Sequence, residues 1–167
     1  MKRKRNAFSV FKESKVAVAG SILIIAVVLL AIFAPWIAPH NPVEQSFLNR
    51  FSDPETGHLF GTDGYGRDIL SRVIWGSRTS LTVGILSVFF SGIIGVSLGI
   101  IAGYRGGKLE NIIMRLADAF LSLPSLLMGL IIIVALGSGL SKVVIAISVA
   151  LTPRFIRLAH GPTLTLK

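Results

Sequence analysis

The residues of this chain best equipped for chemistry fall in one stretch, HLFGTDGYGRDILSR at 58–72, which holds three glycines, two acids and two arginines. The spacing of Gly61, Gly64 and Gly66 suggests a phosphate cradle. A P-loop, however, needs a buried strand followed by G-x-x-x-x-G-K-[ST], and no Gly-Lys-Ser/Thr occurs here. A dinucleotide fingerprint needs a βαβ unit, which the long apolar runs on either side exclude. Nucleotide binding is therefore not expected. The residues do suit a shaped loop: the glycines permit tight turns, and Asp63 can cap by accepting a backbone N–H. From Asp68 to Trp75 the chain reads as the start of a helix lying along a membrane face. Arg67, Asp68 and Arg72 would sit on its polar side, and Trp75 would anchor at the interface.

The flanking elements explain why a membrane enters the argument. The 167 residues are 52% hydrophobic, and only 15% are charged, yet the net charge is +9. A soluble domain of this size cannot bury so much apolar surface. The basic residues cluster at the ends of apolar runs instead of forming a continuous patch, which argues against a nucleic-acid partner and for a lipid bilayer. Three runs carry no charge: 16–39, 79–104 and 119–141. Each exceeds the roughly 20 residues that cross a hydrocarbon core about 30 Å thick at about 1.5 Å per residue. A fourth, 143–153, falls well short of that length. It spans if it borrows from both sides, with Lys142 snorkelling and the helix continuing past Arg154; otherwise it is re-entrant or interfacial. The basic start MKRKR resembles a secretory signal, but the first apolar run is longer than a signal's core and leads straight into Pro35, so it reads as an uncleaved anchor.

The expected fold class is therefore an all-α, polytopic transmembrane helical bundle. With the N-terminus inside and four crossings, twelve basic residues lie inside and five outside, so the N-in, C-in arrangement is preferred. This divides the chain into a basic cytoplasmic tail at 1–15, a first anchor span at 16–38, an extracytoplasmic loop at 39–78 and a set of further spans from 79 to 167. His40, His58 and His160 are far apart in sequence and fall on different sides, so no shared metal site is expected. There is no cysteine, hence no disulfide framework, cysteine-based zinc site or thiol nucleophile. No set of acid, base and nucleophile stands out, and no cofactor is implied.

Within the second run, Ser87, Ser91, Gly95, Gly99 and Gly103 recur every four residues, a doubled small-xxx-small pattern. In lipid, helices associate through close backbone approach, so this face is expected against another helix. Pro124 falls at the start of the third run, where a missing N–H costs little. Pro153 can kink the fourth and free a carbonyl, as a static bend or a hinge. Arg115 and Asp118 can pair as i, i+3 at the inner end of the third run.

Several blocks together resemble one family. HLFGTDGYGRDILSRVIWGSRTSL resembles the segment preceding the core spans of the C-type permease subunit of dipeptide, oligopeptide and nickel ABC importers. IFAPWIAPHNP at 32–42 is similar to the end of that family's first span. GVSLGIIAGYRGGKLENIIMRLADAFLSLPSLL at 95–127 is similar to its central block, and PRFIRLAHGPTLTLK at 153–167 to the run leading to its coupling loop. The resemblance implies a permease subunit in the inner (plasma) membrane that is not itself an enzyme. It would pair with a second permease subunit to line a translocation path. Cytoplasmic ATP-binding subunits would hydrolyse ATP, since no Walker A motif is present here. An extracytoplasmic substrate-binding protein would deliver a peptide or nickel. Gly61, Thr62, Asp63, Gly66, Arg67 and Asp68 would belong to the external segment near its docking side. The family's EAA-type coupling loop is not found after Arg157, so four of an expected six spans are read here. The alternative is a stand-alone structural or regulatory bundle, or a non-functional truncated permease.

Overall fold

The computed structural model describes residue 11 and residues 13–166. Lys2, Arg3, Lys4, Arg5, Lys12 and Lys167 lie outside the described residues. Among the described residues there are five α-helices, one short 3-10 turn at Phe47–Asn49, and no strand. The protein is all-α and polytopic. Two compact units divide the chain, Met1–Leu81 and Thr82–Lys167.

The first unit begins with α1, Lys15–Ile37. The Ser14 side chain accepts the Ala17 N–H and so caps its first turn. Of its length, only Ala31 and Ala34 are buried, while Ile22, Leu23, Ile24 and Ile25 face outward. A helix apolar on every side is a lipid-facing span. Pro35 sits in its last turn, and the helix closes with the Ala38 N–H on the Ala34 carbonyl.

Helix α2, Ile69–Arg105, runs unbroken for 37 residues. At about 1.5 Å per residue it is about 55 Å long, well beyond a hydrocarbon core. The helix expected to start over 68–75 does start there, at Ile69, and residues 69–75 are the first two turns of this long helix. Gly76 alone does not stop it, because no proline follows and the next turns retain their hydrogen bonds. Trp75 is half-buried, with the Arg78 guanidinium 5.8 Å from its ring centre.

In the second unit α2 ends at Gly106, whose φ of +67° breaks the helix before α3, Gly107–Leu121, begins. α3 is amphipathic. Helix α4 covers only Ser125–Leu136, and its axis turns 92° from α3. The third uncharged run is therefore not one straight span. Pro124 is the N-cap of α4; it also pushes Leu123 out of the helical region, so uncharged sequence alone does not make a continuous helix. A 12-residue helix is about 18 Å long, too short to cross alone. Gly137 and Gly139, at φ +84° and +136°, then turn the chain into α5, Leu140–Thr165. α5 starts before Lys142 and continues through Pro153 and past Arg154, so the short fourth run is part of a 26-residue helix. It packs against α4 and α3. Three helices, α1, α2 and α5, are long and apolar enough to cross a membrane, and the bent α3–α4 pair supplies a fourth crossing if it counts as one broken span.

Candidate functional site

In the first unit, residues 46–72 fold around two glycines in the left-handed region. Gly61 has φ +70° and lies against the Ser52 carbonyl, and Gly66 has φ +71° and lies against the Ser46 carbonyl. A side chain at either position would meet backbone, which cannot swing away. Between them Thr62 is buried: its N–H donates to Ser52 O at 3.1 Å, its hydroxyl donates to Asn49 O and accepts the Ser52 N–H at 3.0 Å. Thr62 also bridges to Asp68 in antiparallel fashion.

The two acids of the stretch do different work. Asp63 Oδ1 accepts the N–H groups of Tyr65 and Arg67 at 2.8 and 3.1 Å. Its Oδ2 accepts from Arg67 Nε at 2.8 Å and from Arg72. Burial pushes the Asp63 carboxyl up, but the N–H groups of Arg67 and Tyr65 and the Arg67 guanidinium outweigh it and hold it at about 2, below the usual 3.8. Asp63 thus organises a turn, while the helix cap is Asp68, whose Oδ2 accepts the Ser71 N–H at 2.7 Å. Asp68 is not on an exposed polar face; its side chain is 1% exposed. Burial pushes its carboxyl up too, but bonds from Ser71 and then His58 outweigh this and lower it.

Of the three histidines, the structure brings two together. His40 and His58 are adjacent, with ring centres 4.7 Å apart. His58 Nδ1 is 3.0 Å from Asp68 Oδ1, His40 Nε2 is 2.7 Å from Gly57 O, and the His40 N–H donates to the buried Ser71 hydroxyl at 3.0 Å. Sequence distance hid this because the glycine turns fold the segment back on itself. His160 lies apart, in the second unit, with Nε2 2.7 Å from Glu110 Oε1.

In the second unit, Ser87, Ser91, Gly95, Gly99 and Gly103 line one face of α2 against α5. Ser87 Oγ donates to Val144 O at 3.3 Å, and Ser91 Oγ donates to Ser87 O at 2.6 Å within α2. A Cβ on Gly95 would stand 2.7 Å from Thr152 O, one on Gly99 2.8 Å from Ala159 Cβ, and one on Gly103 2.8 Å from Thr163 Cβ. Sequence reasoning missed Ser148, whose buried hydroxyl donates to Val144 O at 2.7 Å and reaches Ser87 O at 3.4 Å. The signal was present: Ser148, Thr152, Ala159 and Thr163 form a small-residue stripe on α5, cut in the sequence by Arg154 and Arg157. Pro153 is buried within α5 and, with Val149, lines an apolar cavity reached also by Ile94, Leu98 and Phe120. The expected Arg115–Asp118 pair is replaced: Asp118 Oδ1 accepts from Arg157 at 3.2 Å (Nε) and 2.5 Å (Nη2), because α5 packs across α3.

Comparison with known proteins adds to this geometry. Residues 4–54 match the family described as the N-terminal TM domain of oligopeptide transport permease C. Residues 95–161 match the binding-protein-dependent transport system inner membrane component. The chain is 39% identical over 163 residues to the dipeptide transport system permease protein DppC of Alkalihalophilus pseudofirmus, covering 98% of the chain and 54% of that relative. It is 38% identical over 156 residues to the probable D,D-dipeptide transport system permease protein DdpC of Escherichia coli, covering 93% and 52%. It is 37% identical over 163 residues to the oligopeptide transport system permease protein OppC of Bacillus subtilis, covering 98% and 53%. The chain thus spans about half the length of these relatives.

Proposed function

Because the chain belongs to the C-type permease subunits of dipeptide and oligopeptide ABC importers, we propose that it forms part of the path by which peptides cross the inner membrane. The observation that carries this reading is the α2–α5 contact. Five small residues on α2, Ser87 to Gly103, bring two apolar helices together, and three of them, Gly95, Gly99 and Gly103, lie within the region that matches the transporter family. Such a seam fixes helix positions without a hydrophobic driving force, as a membrane-embedded path requires. The chain has its N-terminus in the cytoplasm, and residues 39–78 form an extracytoplasmic loop. Thr62, Asp63, Arg67 and Asp68 shape that loop, on the side where a substrate-binding protein delivers peptide. A second permease subunit completes the path, and separate cytoplasmic subunits hydrolyse ATP. The peptide class is supported by the names of the relatives, which include dipeptide, oligopeptide and glutathione permeases.

The test is affinity purification of the tagged protein from membranes of its own cell. A second permease and an ATP-binding subunit are expected in stoichiometric amounts. Recovery of the tagged chain alone or only with itself, under conditions that keep a known ABC importer intact, overturns the reading and favours a stand-alone bundle.

A further inference from the structure

We propose that His40, His58 and Asp68 form a site for a divalent transition cation of the zinc class, in the polar segment between α1 and α2. One ligand atom from each residue lies within 4.8 Å of the others. Two imidazoles and one carboxylate are a donor set that suits zinc, nickel or copper and not calcium or magnesium. Ligand atoms about 2.0–2.2 Å from a tetrahedral zinc stand roughly 3.3 Å from one another. His58 Nδ1 and Asp68 Oδ1, at 3.0 Å, are already near that spacing. A cation entering there takes the place of the hydrogen between the two atoms: His58 binds through Nδ1 and carries its one N–H on Nε2 instead.

The surrounding hydrogen bonds prepare each ligand. A carbonyl only accepts, so His40 Nε2 carries the hydrogen it directs at Gly57 O, which leaves the lone pair on Nδ1 for a metal. The Ser71 N–H occupies Asp68 Oδ2 and leaves Oδ1 to face His58. The same Ser71, through its hydroxyl, holds the His40 backbone N–H, so one buried serine positions two of the three ligands. Such outer-shell bonds to ligand groups are what fix orientation in metal sites. Charge argues in the same direction. Asp68 is almost fully buried, yet the nearby Arg67 and Arg72 are both engaged by Asp63. A bound cation compensates the buried carboxylate. The three residues open on a polar cavity of about 230 Å³ also lined by Asn41, Glu44 and Asn49, which offers a way in and oxygen atoms for a remaining position.

The site would tie the end of α1 to the start of α2 through the loop between them. It does not depend on the transport reading, and its test reads binding alone. The full chain in lipid nanodiscs, stripped with chelator, is titrated with Zn²⁺ by calorimetry, and Co²⁺ is used separately for its absorption spectrum. One Zn²⁺ per chain at micromolar affinity or tighter is expected, with a tetrahedral Co²⁺ band that Zn²⁺ abolishes and Mg²⁺ does not. His40→Ala and His58→Ala should each weaken binding at least about tenfold, while His160→Ala leaves it unchanged. His40→Ala keeps the backbone bond to Ser71, so it tests the site even if His58→Ala disturbs the loop. Absence of saturable Zn²⁺ binding to the unmodified chain overturns the proposal, as does binding that survives both substitutions.

Discussion

Gly99 of α2 lies against the backbone of Ile156 in α5: a Cβ added to Gly99 would stand 2.5 Å from the Ile156 carbonyl oxygen. Backbone cannot yield as a side chain can, so this contact fixes the separation of the two helices. Gly95 repeats it one turn earlier, against Thr152 O, and one turn later Gly103 lies against the Thr163 side chain and, at 3.2 Å, His160 O.

Substituting Gly99 by Ala should therefore destabilise the α2–α5 seam by about 1–3 kcal/mol, the usual cost of overpacking, and Gly99→Ile by more. Gly92, whose Cβ would only just touch Phe155 at 4.0 Å, is the control and should tolerate Ala. Thermal unfolding in one fixed detergent compares the three; equal melting temperatures for Gly92→Ala and Gly99→Ala would speak against the seam.

Gly61 and Gly66 should also resist substitution, for a different reason. Both combine positive φ with backbone in the path of a Cβ, so strain and collision add. Gly61→Ala or Gly66→Ala should speed amide hydrogen exchange across residues 46–72 by about tenfold or more, corresponding to a loss above about 1.4 kcal/mol. Gly57→Ala, with nothing within 4 Å, should leave exchange unchanged.

The acid limb of loop stability should trace to Asp63. Its folded value, about 2, lies below the ordinary 3.8, so it contributes stability that is complete above the unfolded value and is lost as pH falls from about 4 toward 2. Exchange in residues 61–72 should accelerate over that window in the native chain. Asp63→Asn should show fast exchange already at neutral pH and a flatter profile; an unchanged profile would remove Asp63 from its place in the turn.

The Asp118–Arg157 pair should matter little to stability, because both side chains are about half exposed (51% and 55%). Asp118→Asn is expected to cost below about 1 kcal/mol, and less in high salt. Reversing Arg157 to Asp should cost more through like-charge contact, and the double exchange Asp118→Arg with Arg157→Asp should recover most of that loss. The readout is the same detergent melting experiment.

What could be read from the sequence depended on how local its cause was. The Ser87–Gly103 stripe was legible because small residues at i, i+4 spacing have few other uses in an apolar helix. Its partner was harder to see, since Lys142, Arg154 and Arg157 cut α5 so that its longest uncharged run is 143–153, although the helix has 26 residues. The break at Ser122–Leu123–Pro124 was hidden for the opposite reason: nothing charged marks it, and only the proline does. The approach of His40 to His58 could not be read at all. It depends on the positive φ of Gly61 and Gly66 and on Ser71 reaching back to residue 40, and no local pattern encodes a contact across 31 residues.

The most direct test of the central claim is ATP-driven uptake of a labelled dipeptide. Proteoliposomes would carry the polypeptide containing these residues with its co-purifying permease and ATP-binding subunits, and the substrate-binding protein would be supplied on the opposite face. The peptide-importer reading predicts accumulation that requires ATP and falls to the protein-free level when Gly99 is replaced by Ile. Accumulation that is the same with and without this chain would contradict it.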